Sequence, residues 1–121
     1  MNTLFLDDNL QRLEIAQSNL KEGVFVKTAR QSINYLQKEK HWDLIMLDHD
    51  LDEEIKDLNI TGNGMDVVQW ICKNKTSVET IVVHSRNYYA SNDMTKALRE
   101  NEYNVLQIPF FDIDWKEIIG P

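Results

Sequence analysis

The chain has 121 residues, of which 42% are hydrophobic and 27% charged, and its formal net charge is −7. This size and composition predict one domain with a single core, spanning residues 1–121. The negative charge argues against a general nucleic-acid binder, because such a protein needs a basic surface. A single cysteine excludes an internal disulfide, and no apolar run approaches the roughly 18 residues that cross a bilayer. We therefore expect a cytoplasmic protein that does not enter a membrane.

Short apolar runs alternate with helical patterns from the first residues onward. The apolar runs predict five strands, at residues 3–6, 24–28, 43–47, 80–83 and 105–108. Apolar residues at helical spacing predict helices within residues 10–20, 33–40, 67–72 and 94–98, and residues 110–119 leave room for a short final helix. This alternation is typical of an α/β domain with a parallel sheet. The run at residues 43–47 is almost wholly apolar, which predicts that it is the central strand.

Two polar stretches interrupt this pattern. Residues 49–63 are polar and acidic, show no clear period, and have the length of a functional loop. Residues 84–92 form the second predicted polar loop. Between and after them, Trp70, Cys72 and Met94 lie at helical spacing among apolar residues, so we predict that they pack in the core.

Chemically active side chains follow three of the predicted strands. In a parallel sheet the carboxyl ends of the strands meet at one edge, and ligands bind there. The residues that follow the first, third and fourth strands are Asp7 and Asp8; Asp48, His49 and Asp50; and His84, Ser85 and Asn87. The sequence therefore predicts one polar site built from three distant segments.

The carboxylates of Asp7, Asp8, Asp48 and Asp50 predict a metal at this edge. Two like charges about 4 Å apart repel by about 4 kcal/mol at an effective dielectric of about 20, so the group needs a cation or protons. Oxygen ligands suit Mg²⁺, Ca²⁺ or Mn²⁺, whereas His49 or His84 as a further ligand would shift the preference toward Mn²⁺, Fe²⁺ or Zn²⁺. We expect a divalent metal, Mg²⁺ or Mn²⁺.

A phosphate is the expected guest of such a site, because the metal would neutralise its charge. Ser85 and Asn87 would donate hydrogen bonds to it, and Arg12 and Arg86 are further candidate ligands. The residues therefore predict a ligand that carries a phosphate, and not bulk nucleic acid.

Plainer interpretations of several residues stay open. Asp8 also fits the N-cap of the first helix. His84 also fits an ordinary hydrogen-bonded histidine at the end of a strand. Arg12 and Arg86 also fit solvent-facing positions, which is the commoner fate of an arginine.

The order of these residues resembles that of the receiver domains of two-component signalling, over nearly the whole chain. The shared features are an acidic pair after the first strand, an aspartate after the third and a hydroxyl after the fourth. The resemblance implies a flavodoxin-like, doubly wound, five-stranded parallel sheet with a short final helix. It also implies that Asp7 and Asp8 hold Mg²⁺, Asp48 accepts a phosphoryl group and Ser85 contacts it. Receivers carry a lysine before the proline that closes the last strand, but here Ile108 occupies that position.

Three segments resemble the cyclic-phosphate processing receiver family more specifically. They are Leu6-Asp7-Asp8, Leu47-Asp48-His49-Asp50-Leu51 and Val83-His84-Ser85-Arg86-Asn87, with Met94 downstream. This resemblance implies recognition or processing of a cyclic phosphate, and with it a small phosphorylated or cyclic nucleotide as the ligand.

Hydrolysis of a cyclic phosphodiester is the first functional hypothesis, with His49 or His84 as general acid or base and Asp48 in the metal site. The second is binding without cleavage, in which residues 50–63 close as a lid. Aromatic side chains would then stack on a base, and the candidates are Trp42, Tyr88 and Tyr89.

Two further hypotheses stay open. One is a phospho-accepting response regulator, which the position of Asp48 permits and the missing lysine opposes. The other is a domain that only binds a protein partner, with a homodimer face formed by Phe110, Phe111 and Trp115.

Overall fold

The computed structural model describes residues 1–51 and 62–120. The strands are β1 (Thr3–Leu6), β2 (Val24–Val26), β3 (His41–Leu47), β4 (Ser77–Val83) and β5 (Val105–Gln107). The helices are α1 (Leu10–Asn19), α2 (Ala29–Lys38), α3 (Gly64–Asn74), α4 (Tyr88–Glu100) and α5 (Trp115–Ile119). A single turn of 3-10 helix, Phe110–Asp112, precedes α5.

All five strands are parallel and form one sheet in the order β2-β1-β3-β4-β5. The predicted α/β class and the flavodoxin-like sheet are confirmed, and β3 is the central strand. The strand order reverses between β1 and β3, and the crevice beyond the carboxyl ends of such a pair is where ligands bind. The register aligns the last residues of the three inner strands, because Leu6 pairs with Leu47 and Leu47 pairs with Val83.

Side-chain alternation divides the core into two layers on opposite faces of the sheet. Leu6, Leu47 and Val83 belong to the layer that also holds buried residues of α2, α3 and α4. Phe5 and Met46 belong to the other layer, which α1 and α5 cover. Because successive side chains of a strand point to opposite faces, a residue that directly follows Leu6, Leu47 or Val83 is directed toward the α1 and α5 side.

Several predicted boundaries are wrong for identifiable reasons. The loop predicted at residues 84–92 ends earlier, because the side chain of Asn87 accepts a hydrogen bond from the Ala90 amide (3.1 Å) and so begins α4 at Tyr88. Thr28 is not part of β2, because its side chain caps α2 by accepting from the Gln31 amide (3.0 Å).

Other expectations about the chain have mixed outcomes. Met94 is fully buried, and Trp70 and Cys72 pack partly buried against the same layer, as predicted. None of the described helices has the length and apolar character that a membrane crossing requires. The predicted lid, residues 50–63, falls mostly on residues 52–61, which lie outside the described residues.

Candidate functional site

Asp7, Asp48 and His84 meet beyond the carboxyl ends of β1, β3 and β4. Each directly follows one of the three aligned strand-end residues, so the register brings them to one place on the α1 side of the sheet. Each offers a ligand atom, and these atoms lie within 4.8 Å of one another. All three residues are buried, with relative exposures of 0%, 5% and 1%. The result is a buried group of two carboxylates and one imidazole.

Arg12 lies in the first turn of α1 and contributes a positive charge to this group. Its Nε donates to Asp7 Oδ2 (2.7 Å) and one terminal nitrogen donates to Asp7 Oδ1 (2.9 Å), which is a bidentate pair. A terminal nitrogen also lies 3.6 Å from Asp48 Oδ2. The side chain of Arg12 is only 15% exposed. The guanidinium therefore acts as an internal counter-ion for both aspartates.

The two aspartates disfavour each other's charge despite Arg12. Burial and, after it, the negative charge of Asp7 raise the pKa of Asp48 to about 7, against the opposing effect of Arg12. Asp8 is half-buried, and its charge also raises the pKa of Asp48. The hydrogen bond with Asp7 raises the pKa of Arg12, which keeps the guanidinium charged. A buried group with this balance of charges favours binding of a cation that carries more positive charge than one arginine supplies.

His84 lies deepest in the group. Its ring stacks parallel on Phe5, with centroids 4.9 Å apart, and meets the ring of Phe110 edge to face at 5.7 Å. Its Nδ1 is 3.7 Å from Asp7 Oδ2. Neither ring nitrogen has a hydrogen-bond partner among the described residues. Burial lowers the pKa of His84 to about 4, although Asp7 pulls it upward, so the ring is neutral at pH 7.

His49 and Asp50 form a separate pair nearer to solvent. His49 Nδ1 lies 2.6 Å from Asp50 Oδ1, and the two side chains are 19% and 69% exposed. The side-chain nitrogen of Asn87, Nδ2, lies 3.5 Å from both carboxylate oxygens of Asp50, which is a long distance for a hydrogen bond. Asp50 therefore orients His49, and it does not join the buried group of Asp7, Asp48 and His84.

Ser85, Arg86 and Asn87 occupy the loop that joins β4 to α4. Ser85 is buried, and its Oγ accepts a hydrogen bond from the backbone amide of Asn87 (3.1 Å). Arg86 is exposed, and no salt bridge is found for it within the described part of the chain. Beside them lies a cavity of about 450 Å³, with lining residues Ser85, Arg86, Tyr88, Ser91, Gln107 and Pro109. The hydroxyl and the arginine thus flank a space of ligand size.

Ile108 takes the position of the lysine that receiver domains carry. Its backbone amide donates to the Val83 carbonyl (3.0 Å), and its side chain packs against the α1 and α5 layer. Arg12 approaches Asp48 from α1, on another element of the fold. The positive charge of this site therefore comes from a helix rather than from the end of β5.

Two aromatic predictions are wrong. Trp42 cannot stack on a ligand base, because it lies in the core near the amino end of β3 and is 2% exposed. Phe110 cannot belong to an exposed homodimer face, because it is also 2% exposed and packs on Phe5 and His84. Tyr88, Tyr89 and Phe111 are exposed, as predicted.

The sequence interpretation missed two features of the site. It treated Arg12 as a ligand for phosphate or as a solvent-facing residue, whereas the guanidinium pairs with Asp7. It left His84 open as an acid or base, a metal ligand or an ordinary hydrogen-bonded histidine, and did not predict that the ring is buried beside the aspartates. One signal was present: Phe5–Asp7, Met46–Asp48 and Val82–His84 are spaced by two residues, which places all six side chains on one face of the sheet.

Comparisons with known proteins agree with this architecture. Residues 2–100 match the family described as cyclic-phosphate processing receiver domain. No curated protein sequence matches the chain significantly. Among solved structures, the signal receiver domain of a putative LuxO repressor protein from Vibrio parahaemolyticus is 20% identical, with a TM-score of 0.67 over 98% of this chain and 83% of that one. A CheY-like receiver domain from Methylobacillus flagellatus is 15% identical, with a TM-score of 0.65 over 98% of both chains. A response regulator from Colwellia psychrerythraea is 12% identical, with a TM-score of 0.65 over 88% of this chain and 81% of that one.

Proposed function

Because the chain belongs to the cyclic-phosphate processing receiver domain family, we propose that it binds a small cyclic phosphate with a divalent metal and hydrolyses one ester bond. The observation that supports this most is the buried pair of Asp7 and Asp48. Two carboxylates this close need a cation, and a cation placed there attracts a phosphate. Cyclic nucleotides are the ligand class that we infer.

The residues present fit a metal ion. Asp7 and Asp48 provide carboxylate oxygens, which are the preferred ligands of Mg²⁺ and Mn²⁺, and Asp8 lies close enough to add a third carboxylate charge. When bound, the metal would supply neutralisation of the phosphate and polarisation of a phosphoryl oxygen. Arg12 donates hydrogen bonds to both carboxylate oxygens of Asp7.

Arg12 would change partners when the ligand binds. Its guanidinium presents parallel donors that suit two phosphate oxygens as well as two carboxylate oxygens. It already lies between Asp7 and Asp48, at 2.7 Å and 3.6 Å. Once Asp7 is neutralised otherwise, the guanidinium is free to bind the phosphate of the ligand without leaving the site.

His49 is the better placed of the two candidate acid-base histidines. Its Nδ1 is held by Asp50 at 2.6 Å, and its ring is partly exposed, so the other nitrogen can exchange a proton with a ligand or with water. In the hydrolysis, water adds to phosphorus, the ring P–O bond breaks, and the leaving oxygen takes up a proton. His49 would accept the proton of the water and return it to that oxygen.

Recognition of the rest of the ligand is assigned to the β4–α4 loop. Ser85 and Arg86 line the cavity of about 450 Å³, and Tyr88 at its edge is 66% exposed. The neighbouring Tyr89 is 80% exposed and meets Tyr88 edge to face. Exposed tyrosines beside a phosphate site suit stacking on a nucleotide base. These two residues also favour a second candidate function, capture of a cyclic nucleotide without cleavage.

A panel of 3′,5′- and 2′,3′-cyclic nucleotides, incubated with Mg²⁺ or Mn²⁺ and followed by phosphorus NMR, tests the proposal. We expect conversion of at least one compound to a phosphomonoester, with loss of turnover in His49→Gln. The matched control is His41→Gln, a histidine at the opposite end of β3. Metal-dependent binding with complete recovery of the ligand would favour capture instead.

A phospho-accepting function of Asp48 is tested separately. The missing lysine weakens Asp48 as a phosphoryl acceptor, because the position before Pro109 holds Ile108. Treatment with a small phosphodonor and Mg²⁺, followed by intact-mass measurement, should therefore give no Asp48-dependent gain of mass. Such a gain would instead support the function of a phospho-accepting receiver domain.

A further inference from the structure

We propose that His84 is a metal ligand, and that Asp7, Asp48 and His84 together select a transition metal such as Mn²⁺, Fe²⁺ or Zn²⁺ over Mg²⁺. This inference rests on the metal dependence proposed above and is independent of whether the ligand is hydrolysed. It assigns His84 to metal binding and not to acid-base catalysis.

The distances of the buried group permit shared coordination. Ligand atoms that each lie about 2.1 Å from one metal ion are at most about 4.2 Å apart. His84 Nδ1 is 3.7 Å from Asp7 Oδ2, and the ligand atoms of all three residues lie within 4.8 Å of one another. Small side-chain rotations therefore suffice to bring all three atoms to one ion.

The environment of His84 favours ligation over proton transfer. Its side chain is 0% exposed, so it cannot reach a ligand or bulk water. Phe5 stacks on one face of the ring and Phe110 contacts it edge to face, which fixes its orientation. Neither ring nitrogen has a partner in the described residues, although a buried polar group without one is costly. A metal on Nδ1 would supply an interaction for one of the two nitrogens.

The ligand types predict the metal preference. Mg²⁺ prefers oxygen ligands with several waters, whereas imidazole suits transition metals. A set of two carboxylates and one imidazole is therefore better matched to Mn²⁺, Fe²⁺ or Zn²⁺. Loss of the imidazole should weaken binding of these metals far more than binding of Mg²⁺.

Electron spin echo envelope modulation of bound Mn²⁺ tests the nitrogen ligand directly, because coordinated imidazole nitrogen produces a characteristic modulation. The chain contains three histidines, His41, His49 and His84. The double variant His41→Asn/His49→Phe, made without a histidine tag, leaves His84 as its only imidazole. It also removes the imidazole from the exposed group of His41, Asp43 and Glu79, which is a second place for an added metal.

The expected result is imidazole modulation in the native protein and in the double variant, and none in His84→Phe. His84→Phe keeps an aromatic ring between Phe5 and Phe110, so the fold should be retained. We expect its affinity for Mn²⁺ to fall by about 100-fold, since even a residue that only supports a metal ligand is commonly worth 10- to 100-fold. Its affinity for Mg²⁺ should change by less than about 3-fold.

Bound Mn²⁺ without modulation in the double variant would overturn the inference, and this measurement does not require His84→Phe to fold. That result would leave the proposed function intact, with an all-oxygen metal site. Absence of binding by both Mn²⁺ and Mg²⁺ would overturn the inference and the proposed function. Modulation together with cyclic nucleotides that the native protein leaves unchanged would support the inference and count against hydrolysis.

Discussion

Two groups with the same side-chain chemistry lie near opposite ends of the sheet. Asp7, Asp48 and His84 form the buried group at the carboxyl ends of the strands, and His41, Asp43 and Glu79 form the exposed group at the amino ends of β3 and β4. Each consists of one histidine and two carboxylates. They differ in burial and in the partners that the surrounding structure provides.

The exposed group is satisfied without a metal. His41 Nδ1 lies 2.7 Å from Ser77 Oγ, and Asp43 accepts from the Asn2 amide at 2.6 Å. Water and salt screen the charges that remain. In the buried group, by contrast, His84 has no hydrogen-bond partner in the described part of the chain, and the aspartates depend on Arg12. Residue type alone therefore does not determine whether such a group needs a bound cation. The same residue types need one when they are buried and do not need one when they are exposed.

The strongest test of this comparison is to remove one carboxylate from each group. Asp48→Asn should lower turnover by about 1,000-fold, about 4 kcal/mol, because it removes a metal ligand from the buried group. Asp43→Asn should leave turnover within about 2-fold, since a charge at an exposed site is screened. Steady-state kinetics with Mn²⁺ measures both. Equal losses in the two variants would contradict the assignment of the buried group as the metal site.

The buried group also depends on a close approach of α3 to the Asp48 backbone. A Cβ on Gly64 would lie 1.9 Å from the Asp48 carbonyl oxygen and 2.8 Å from Met94 Cε. Gly64→Ala should therefore destabilise the protein by about 3 kcal/mol, at the upper end of overpacking effects, although alanine normally favours a helix.

Gly23→Ala is the matched control for this substitution. Its Cβ would meet the movable ring of Phe25 at 3.1 Å, so the loss should stay below about 1 kcal/mol. Urea unfolding of both variants measures the difference. A loss for Gly64→Ala no larger than the control would show that α3 does not pack closely on the Asp48 backbone.

The next comparison concerns Arg12, the internal counter-ion of Asp7 and Asp48. Arg12→Met should destabilise the metal-free protein by about 2 kcal/mol, because it leaves the buried Asp7 carboxylate without its cation. Its affinity for Mn²⁺ should rise, because the metal no longer competes with the guanidinium, and added Mn²⁺ should restore stability. Isothermal titration and urea unfolding measure the two effects.

Lys96→Met removes an exposed cation as the control for Arg12→Met. Lys96 lies 4.0 Å from Glu100, and both side chains are more than half exposed. We expect a change below about 0.5 kcal/mol and no change in metal affinity. If Arg12→Met instead weakened Mn²⁺ binding, Arg12 would be supporting the metal site rather than competing for it.

The sequence predicted the layout of the sheet well where strands are buried on both sides. Residues 3–6 match β1 because the run is apolar and ends at Asp7. β4 begins at Ser77, three residues before the predicted start, because its first half alternates with exposed polar residues and shows no continuous apolar run. The start of α4 at Tyr88 depends on the cap by Asn87, which a search for apolar spacing does not detect.

The candidate site was predicted only in part, for a similar reason. The convergence of Asp7, Asp48 and His84 was predicted because the carboxyl ends of parallel strands meet at one edge, and the register of β1, β3 and β4 brings these residues together there. The burial of His84 depends on Phe110, which arrives from a turn after β5 and closes over the ring. Composition and spacing do not encode that contact, so the sequence could not separate a metal ligand from an acid-base residue.

The last comparison concerns the stability of the protein against pH, measured by urea unfolding in a chelator, where two effects oppose each other and leave a small net change. The pKa of Asp48 is raised from 3.8 to about 7 in the folded state, so its stabilising contribution is present below pH 4 and is lost as pH rises to 7. The pKa of His84 is lowered from 6.5 to about 4, so its contribution grows as pH rises from 4 to 6.5. The two slopes oppose each other, and each is at most about 1.4 kcal/mol per pH unit.

Replacing either residue should expose the slope of the other. Between pH 4 and 6.5, the stability of Asp48→Asn relative to the native protein should increase with pH, because only the His84 contribution remains. The stability of His84→Phe relative to the native protein should decrease with pH over the same range, because only the Asp48 contribution remains. Each variant serves as the control for the other. Changes of slope in the same direction would contradict the burial of an acid and a base in one group, and with it the contrast between the two ends of the sheet.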